Sequence, residues 1–162
     1  MEAHKLWSRK AELEAMGVRL ACIVKEAIPE QINEFVPTYW GEEDLYLDEG
    51  KEFFMALGGG QVKKKGIMAL VSSDVRAANS KAGSYLKSIG GTSNLSGEGW
   101  ILGGLYVVRA GGEIVFQHRE STFGDIAEVD DILEAARSAV AVDKGGDSQL
   151  STPPRSVAVA AV

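Results

Sequence analysis

Cysteine is almost missing from this sequence: Cys22 stands alone among 162 residues. One thiol cannot close an intramolecular disulfide, nor form a C-x-x-C pair or a cysteine zinc site within the chain. Histidine is as scarce. His4 and His118 lie far apart in sequence and lack the spacing of a metal motif, so no metal and no prosthetic group is expected. No run approaches the roughly 18 apolar residues of a membrane helix. The opening residues MEAHKLWSRK place charges where a signal peptide needs an apolar core, and a reducing, cytoplasmic setting is expected. Positive charge is also in deficit. Lys and Arg number 17 against 23 Asp and Glu, a formal net charge of −6, which argues against nucleic acid or an anionic membrane as partner. The one basic run, Lys63-Lys64-Lys65, reads as a solvated turn. Gly58-Gly59-Gly60 and Gly97-Glu98-Gly99 lack the spacing of a phosphate loop, and no G-x-S-x-G nucleophile signature occurs.

What remains is a pattern of short elements. Ala3, Leu6, Leu13 and Met16 recur at helical spacing, predicting a helix over 2–16 with Gly17 as its C-cap. Residues 18–24 form an apolar run that predicts a buried strand. Pro29 opens a short helix through Phe35, which Pro37 is expected to end. Leu45-Tyr46-Leu47-Asp48 reads as a strand and 49–57 as a helix carrying Phe53, Phe54 and Leu57. Helical pieces are expected within 66–90, and a loop over 90–99. Two β-rich runs, 105–108 and 114–116, flank Ala110-Gly111-Gly112-Glu113 and predict a hairpin. A loop over 121–126 precedes an amphipathic helix over 129–142. These residues form one domain, 1–142. The Gly-, Ser- and Pro-rich remainder, 143–162, is expected to be a disordered tail.

Helix-linked strands followed by an antiparallel hairpin and a last helix make an α/β architecture that resembles the thioredoxin-like plan. That plan begins with a strand at the centre of the sheet, between the 18–24 strand and the hairpin. This chain opens with the helix, so an empty lane beside the Cys22 strand is expected, and with it a marginally stable or aggregation-prone fold.

Particular segments carry a closer resemblance. LEAMGVRLACIVKE (13–26), LYLDEGKEFF (45–54), NLSGEGWILGGLYVV (94–108), HRESTFGD (118–125) and DDILEAA (130–136) follow one another in the order found in the peroxiredoxin-like 2 family. That family is a selenoprotein U-related branch of the alkyl hydroperoxide reductase/thiol-specific antioxidant superfamily. The resemblance implies a cytosolic antioxidant or redox-regulatory protein. Its expected chemistry is thiol- or selenol-dependent reduction of a small peroxide or disulfide, recycled by a thioredoxin-type reductant. In the family a C-x-x-C motif, or its selenocysteine variant, opens the first helix, where exposed N–H groups and the helix dipole favour a thiolate. Counting back from Gly17 puts that motif just before Met1. A selenocysteine codon read as a stop would place a start at the next methionine. The expectation is therefore an N-terminally truncated member that is inert by itself. Two other readings are a non-catalytic thioredoxin-like binding module, with GEGWILGG and Trp100 facing a partner, and a reductase of the prostamide/prostaglandin F synthase type.

No residue of this chain is assigned a catalytic role. Cys22, inside a strand, reads as a core residue. Gly103 and Gly104 hold the place where many thioredoxin-fold enzymes carry a cis-proline. Together with His118 and Arg119 they are the candidate border of a redox pocket, where Arg119 would favour a thiolate. The competing reading of His118, Arg119 and Asp125 is a strand-end cluster that satisfies loop backbone groups. His4 reads as a surface residue of the first helix, and Trp40 and Trp100 as loop residues.

Overall fold

Gly17, in the left-handed region at φ 84°, terminates the opening helical segment, as its freedom from a Cβ clash allows. The computed structural model describes residues 2–41, 44–65, 73–90, 101–143 and 157–161. The opening segment is two helices, α1 (Glu2–Trp7) and α2 (Lys10–Met16). Between them the Ser8 hydroxyl donates to the Lys5 carbonyl at 2.7 Å, a side-chain bond of the kind that competes with the helical ladder. Ala3, Leu6 and Leu13 still reach the core.

β1 (Arg19–Val24) follows, then α3 (Pro29–Phe35) with Pro29 in its first turn. Pro37 does not end the helical path. The chain widens into a π-helical turn, Val36–Trp40, closed by the Gly41 N–H on the Val36 carbonyl. Pro37 has no N–H to donate and crowds the preceding turn, and widening the helix accommodates both. Trp40 is fully buried on this turn, with its ring 6.0 Å from that of Trp7.

β2 (Leu45–Leu47) leads to α4 (Glu52–Leu57). Asp48, expected in the strand, caps that helix: its carboxylate accepts the Glu52 and Phe53 N–H groups at 2.9 and 2.8 Å. α5 (Ser73–Ser88) lies in the stretch expected to be helical; residues 66–72 and the expected loop at 91–99 lie outside the described residues. β3 (Gly104–Val108) and β4 (Ile114–Arg119) form the predicted hairpin, with a register shift after Val107. β4 runs three residues beyond the expected end. α6 (Val129–Asp143) packs behind them.

The sheet has the order β2-β1-β5-β3-β4, and β5 (Val157–Ala161) comes from the segment expected to be disordered. It lies in the lane expected to be empty. β5 runs parallel to β1, from Arg19↔Val157 to Ile23↔Ala161, and antiparallel to β3, from Gly104↔Ala161 to Val108↔Val157. A strand between two neighbours tolerates no charged or polar run, and VAVAA is apolar throughout. Residues 144–156 lie outside the described residues. The expectation of an unfilled sheet is thus corrected: both flanking strands find backbone partners within the chain, which is what buried N–H and C=O groups require.

Strand alternation sends Leu20, Cys22, Val24, Leu105 and Val107 to one face, where they join Leu6, Leu13, Trp40, Ile132 and Leu133 in the larger core. Tyr106 reaches the other face, with Phe54, Leu57 and Ile101 in a smaller core. Among the described residues no helix is long and apolar enough to cross a membrane.

Candidate functional site: the cavity where β3 begins and β4 ends

β3 and β4 are antiparallel, so the entry of β3 and the exit of β4 share one end of the sheet, with Gly104 opposite Arg119. The end of α4 and the segment 63–65 close over the same end, and together they enclose a cavity of about 400 Å³. Its apolar floor is Leu57 and Leu102, which are buried. Its rim carries Lys63, Lys64, Lys65 and Arg119, with Gly103, Glu120 and Ser121 between them.

Glycine is obligatory at two points here. A Cβ on Gly104, at φ 156°, would sit 2.4 Å from the His118 carbonyl oxygen and 3.1 Å from Leu57 Cδ2. A Cβ on Gly58 would sit 1.7 Å from the Gln61 carbonyl oxygen, so the turn after α4 closes only without a side chain. Gly104 therefore serves close backbone approach within the hairpin. Gly103 donates its N–H to Glu120 Oε2 at 2.9 Å, and the Glu120 N–H returns to the Gly103 carbonyl at 3.2 Å.

The four residues expected at a pocket border do not act as one group. Gly103 and Arg119 line the cavity, and Gly104 packs behind it. His118 faces the opposite side of the sheet, because successive strand residues alternate and its partner Leu105 belongs to the larger core. There His118 Nε2 lies 2.9 Å from the Asp125 carbonyl oxygen and 3.4 Å from Asp125 Oδ1. Asp125 Oδ2 also accepts the Ser121 N–H at 2.9 Å and the Ser121 hydroxyl at 2.6 Å. Burial alone would raise the Asp125 carboxyl, but the two Ser121 donors and the nearby imidazole outweigh it and hold it below its usual value. The hydroxyl bonds to the carboxylate, not to the imidazole, which is the wrong order for acyl transfer. This cluster closes the loop after β4.

Cys22 is fully buried in β1, its N–H bonded to the Asp44 carbonyl at 2.8 Å. A thiol so enclosed offers no path to a substrate. Among the described residues no three His, Cys, Asp or Glu side chains converge as a metal would need.

The reading from sequence missed Leu57, Leu102, Glu120 and Ser121. It noticed the lysine run but set it aside as a solvated turn. Lys63 and Lys64 are exposed, as that reading expects, and the run is also pinned: Leu102 donates its N–H to the Lys63 carbonyl at 2.9 Å, and Lys64 pairs with Ile101. No local signal joins residues so far apart.

Residues 5–122, from α1 through the exit of β4, match the AhpC/TSA antioxidant enzyme family. The chain belongs to that family. Within it the similarity is to peroxiredoxin-like 2A proteins. The zebrafish (Danio rerio) protein is 36% identical over 140 residues, covering 86% of this chain and 61% of that protein. The bovine (Bos taurus) protein is 40% identical over 142 residues, covering 84% and 58%. The human protein is 38% identical over 142 residues, covering 84% and 56%. This AhpC/TSA-family chain thus spans little more than half the length of these relatives. No solved structure matches it. The family match includes every described residue that lines the cavity, whereas α6 and β5 lie beyond it.

Proposed function

We propose that the protein works as a peroxiredoxin-like antioxidant, reducing a small peroxide or disulfide with a thiol or selenol and recycled by a thioredoxin-type reductant in the cytoplasm. The family match over residues 5–122 carries this reading. The chain's part in it is the scaffold. Its one thiol, Cys22, is enclosed in the larger core, so no reacting sulfur is assigned to any residue here. An arginine such as Arg119 would favour the thiolate of a thiol brought beside it.

The test compares the protein purified from its native cells with this chain expressed alone, each assayed for peroxide and disulfide turnover with thioredoxin and its reductase. Turnover is expected from the native protein, and none from the isolated chain or its Cys22→Ser variant. A native protein without turnover overturns the redox reading. Turnover by the isolated chain that disappears in Cys22→Ser overturns the assignment of Cys22 to the core.

A further inference from the structure

We propose that the cavity at the end of the sheet binds a small amphiphilic anion, an oxyanion head (carboxylate or phosphate) carried on a short apolar body. In a chain of net charge −6, four cationic residues stand against the single carboxylate of Glu120 among the described residues lining the cavity. Among the described residues none of those four forms an ion pair. Their placement is built rather than incidental. The bond from Leu102 to Lys63 and the Lys64–Ile101 bridge hold the lysine run against the mouth. Arg119 leans toward the glycine turn, its guanidinium Nη1 3.8 Å from where a Gly59 Cβ would stand.

Cations gathered at a concave, partly apolar mouth focus a positive potential that an anion neutralises. Lysines act there as point charges, and the arginine fork suits an oxyanion. The volume, about 400 Å³, lies within the range of small-molecule sites. The lining as a whole exposes more apolar than polar surface, and that calls for an apolar body: an inorganic ion would leave it uncovered. Glu120 is engaged by the Gly103 N–H, which occupies its Oε2.

The site requires no redox step, so its failure and that of the antioxidant reading are separate results. Calorimetric titrations of this chain with octanoate, octyl phosphate and octanol test it. At least one of the two anions is expected to bind about tenfold or more tighter than octanol, as loss of charge-assisted contacts implies. That affinity is expected to fall about tenfold in Lys64→Gln/Arg119→Gln and to weaken with added salt. Both side chains are exposed, so the variant keeps the parent melting temperature. The tighter of the two anions identifies the head group. Octanol binding as well as the anions, anion binding unchanged in the double variant, or no binding by either anion overturns the proposal.

Discussion

Nδ1 of His4 lies 2.7 Å from the phenol oxygen of Tyr85, joining α1 to α5 across 81 residues of chain. The rings meet edge to face, 5.7 Å between centroids. His4 is therefore a half-buried tether rather than the surface residue its helix position suggested.

The tether is expected to weaken in acid. Burial, with the N-terminal charge adding to it, holds His4 below its ordinary value of 6.5. Between that depressed value and 6.5 the unfolded chain binds more protons than the folded one, so stability rises with pH there and is lost as pH falls below 6.5. An NMR titration of the imidazole should find its midpoint below 6.5, and the fall in melting temperature from neutral to mildly acid pH should shrink in His4→Phe. A midpoint at or above the ordinary value would mean the contact is absent in solution.

Asp125 works in a lower window with a displacement in the same direction. Its carboxyl is held below 3.8 in the fold, so its contribution is present above that value and disappears as pH drops through the depressed one. Ser121→Ala removes the hydroxyl donor and leaves burial less opposed. The Asp125 carboxyl should then titrate at higher pH than in the parent, which a carboxyl-detected NMR titration would read.

Gly104→Ala forces a Cβ to 2.4 Å from the His118 carbonyl oxygen. Backbone must move, at a cost of roughly 1–3 kcal/mol. Urea denaturation should show that loss, while Gly111→Ala, where a Cβ meets nothing within 4 Å, should lose less because only its positive φ is strained. Equal losses at the two sites would refute the close approach of β3 and β4.

Removing residues 144–162 takes β5 from the middle of the sheet. The facing edges of β1 and β3 would lose their ladder partners, each buried unsatisfied group costing about 1–3 kcal/mol, against a domain stability of about 5–15 kcal/mol. The shortened chain should aggregate or melt without cooperativity, and a synthetic peptide of residues 155–162 added in trans should restore a cooperative transition. A shortened chain that melts like the parent would show that β5 does not hold the lane.

Asp48→Ala uncaps α4. A lost N-terminal cap costs about 1 kcal/mol, and hydrogen exchange at Glu52 and Phe53 should quicken first, since those amides lose their acceptor. Unchanged exchange at both would sink the assignment.

Much of the fold was legible because its cause is local. Gly17 ends a helix wherever such a pattern meets a residue free to adopt positive φ, and Gly111-Gly112 between β-rich runs makes a hairpin by its own turn geometry. Cys22 could be placed in the core because an unbroken apolar strand leaves it nowhere else to go. The α-helix ends at Phe35, as Pro37 implied, but a missing N–H can widen a helix as well as stop it, and the chain continues into the π-helical turn. The candidate site was legible only in part. Gly103 and Arg119 were found from their places beside the hairpin, while His118 was grouped with them by adjacency although strand alternation puts it on the other face.

The sequence by itself determined most of the elements up to residue 142, their order and the family, because periodicity, turn residues and ordered motifs are written along the chain. Only the tertiary structure decided that VAVAA fills the central lane and that residues 63–65 line one cavity with Arg119. Both are pairings between segments far apart, set by which backbone edges and which charges fold into reach of each other, and neither leaves a mark in local sequence.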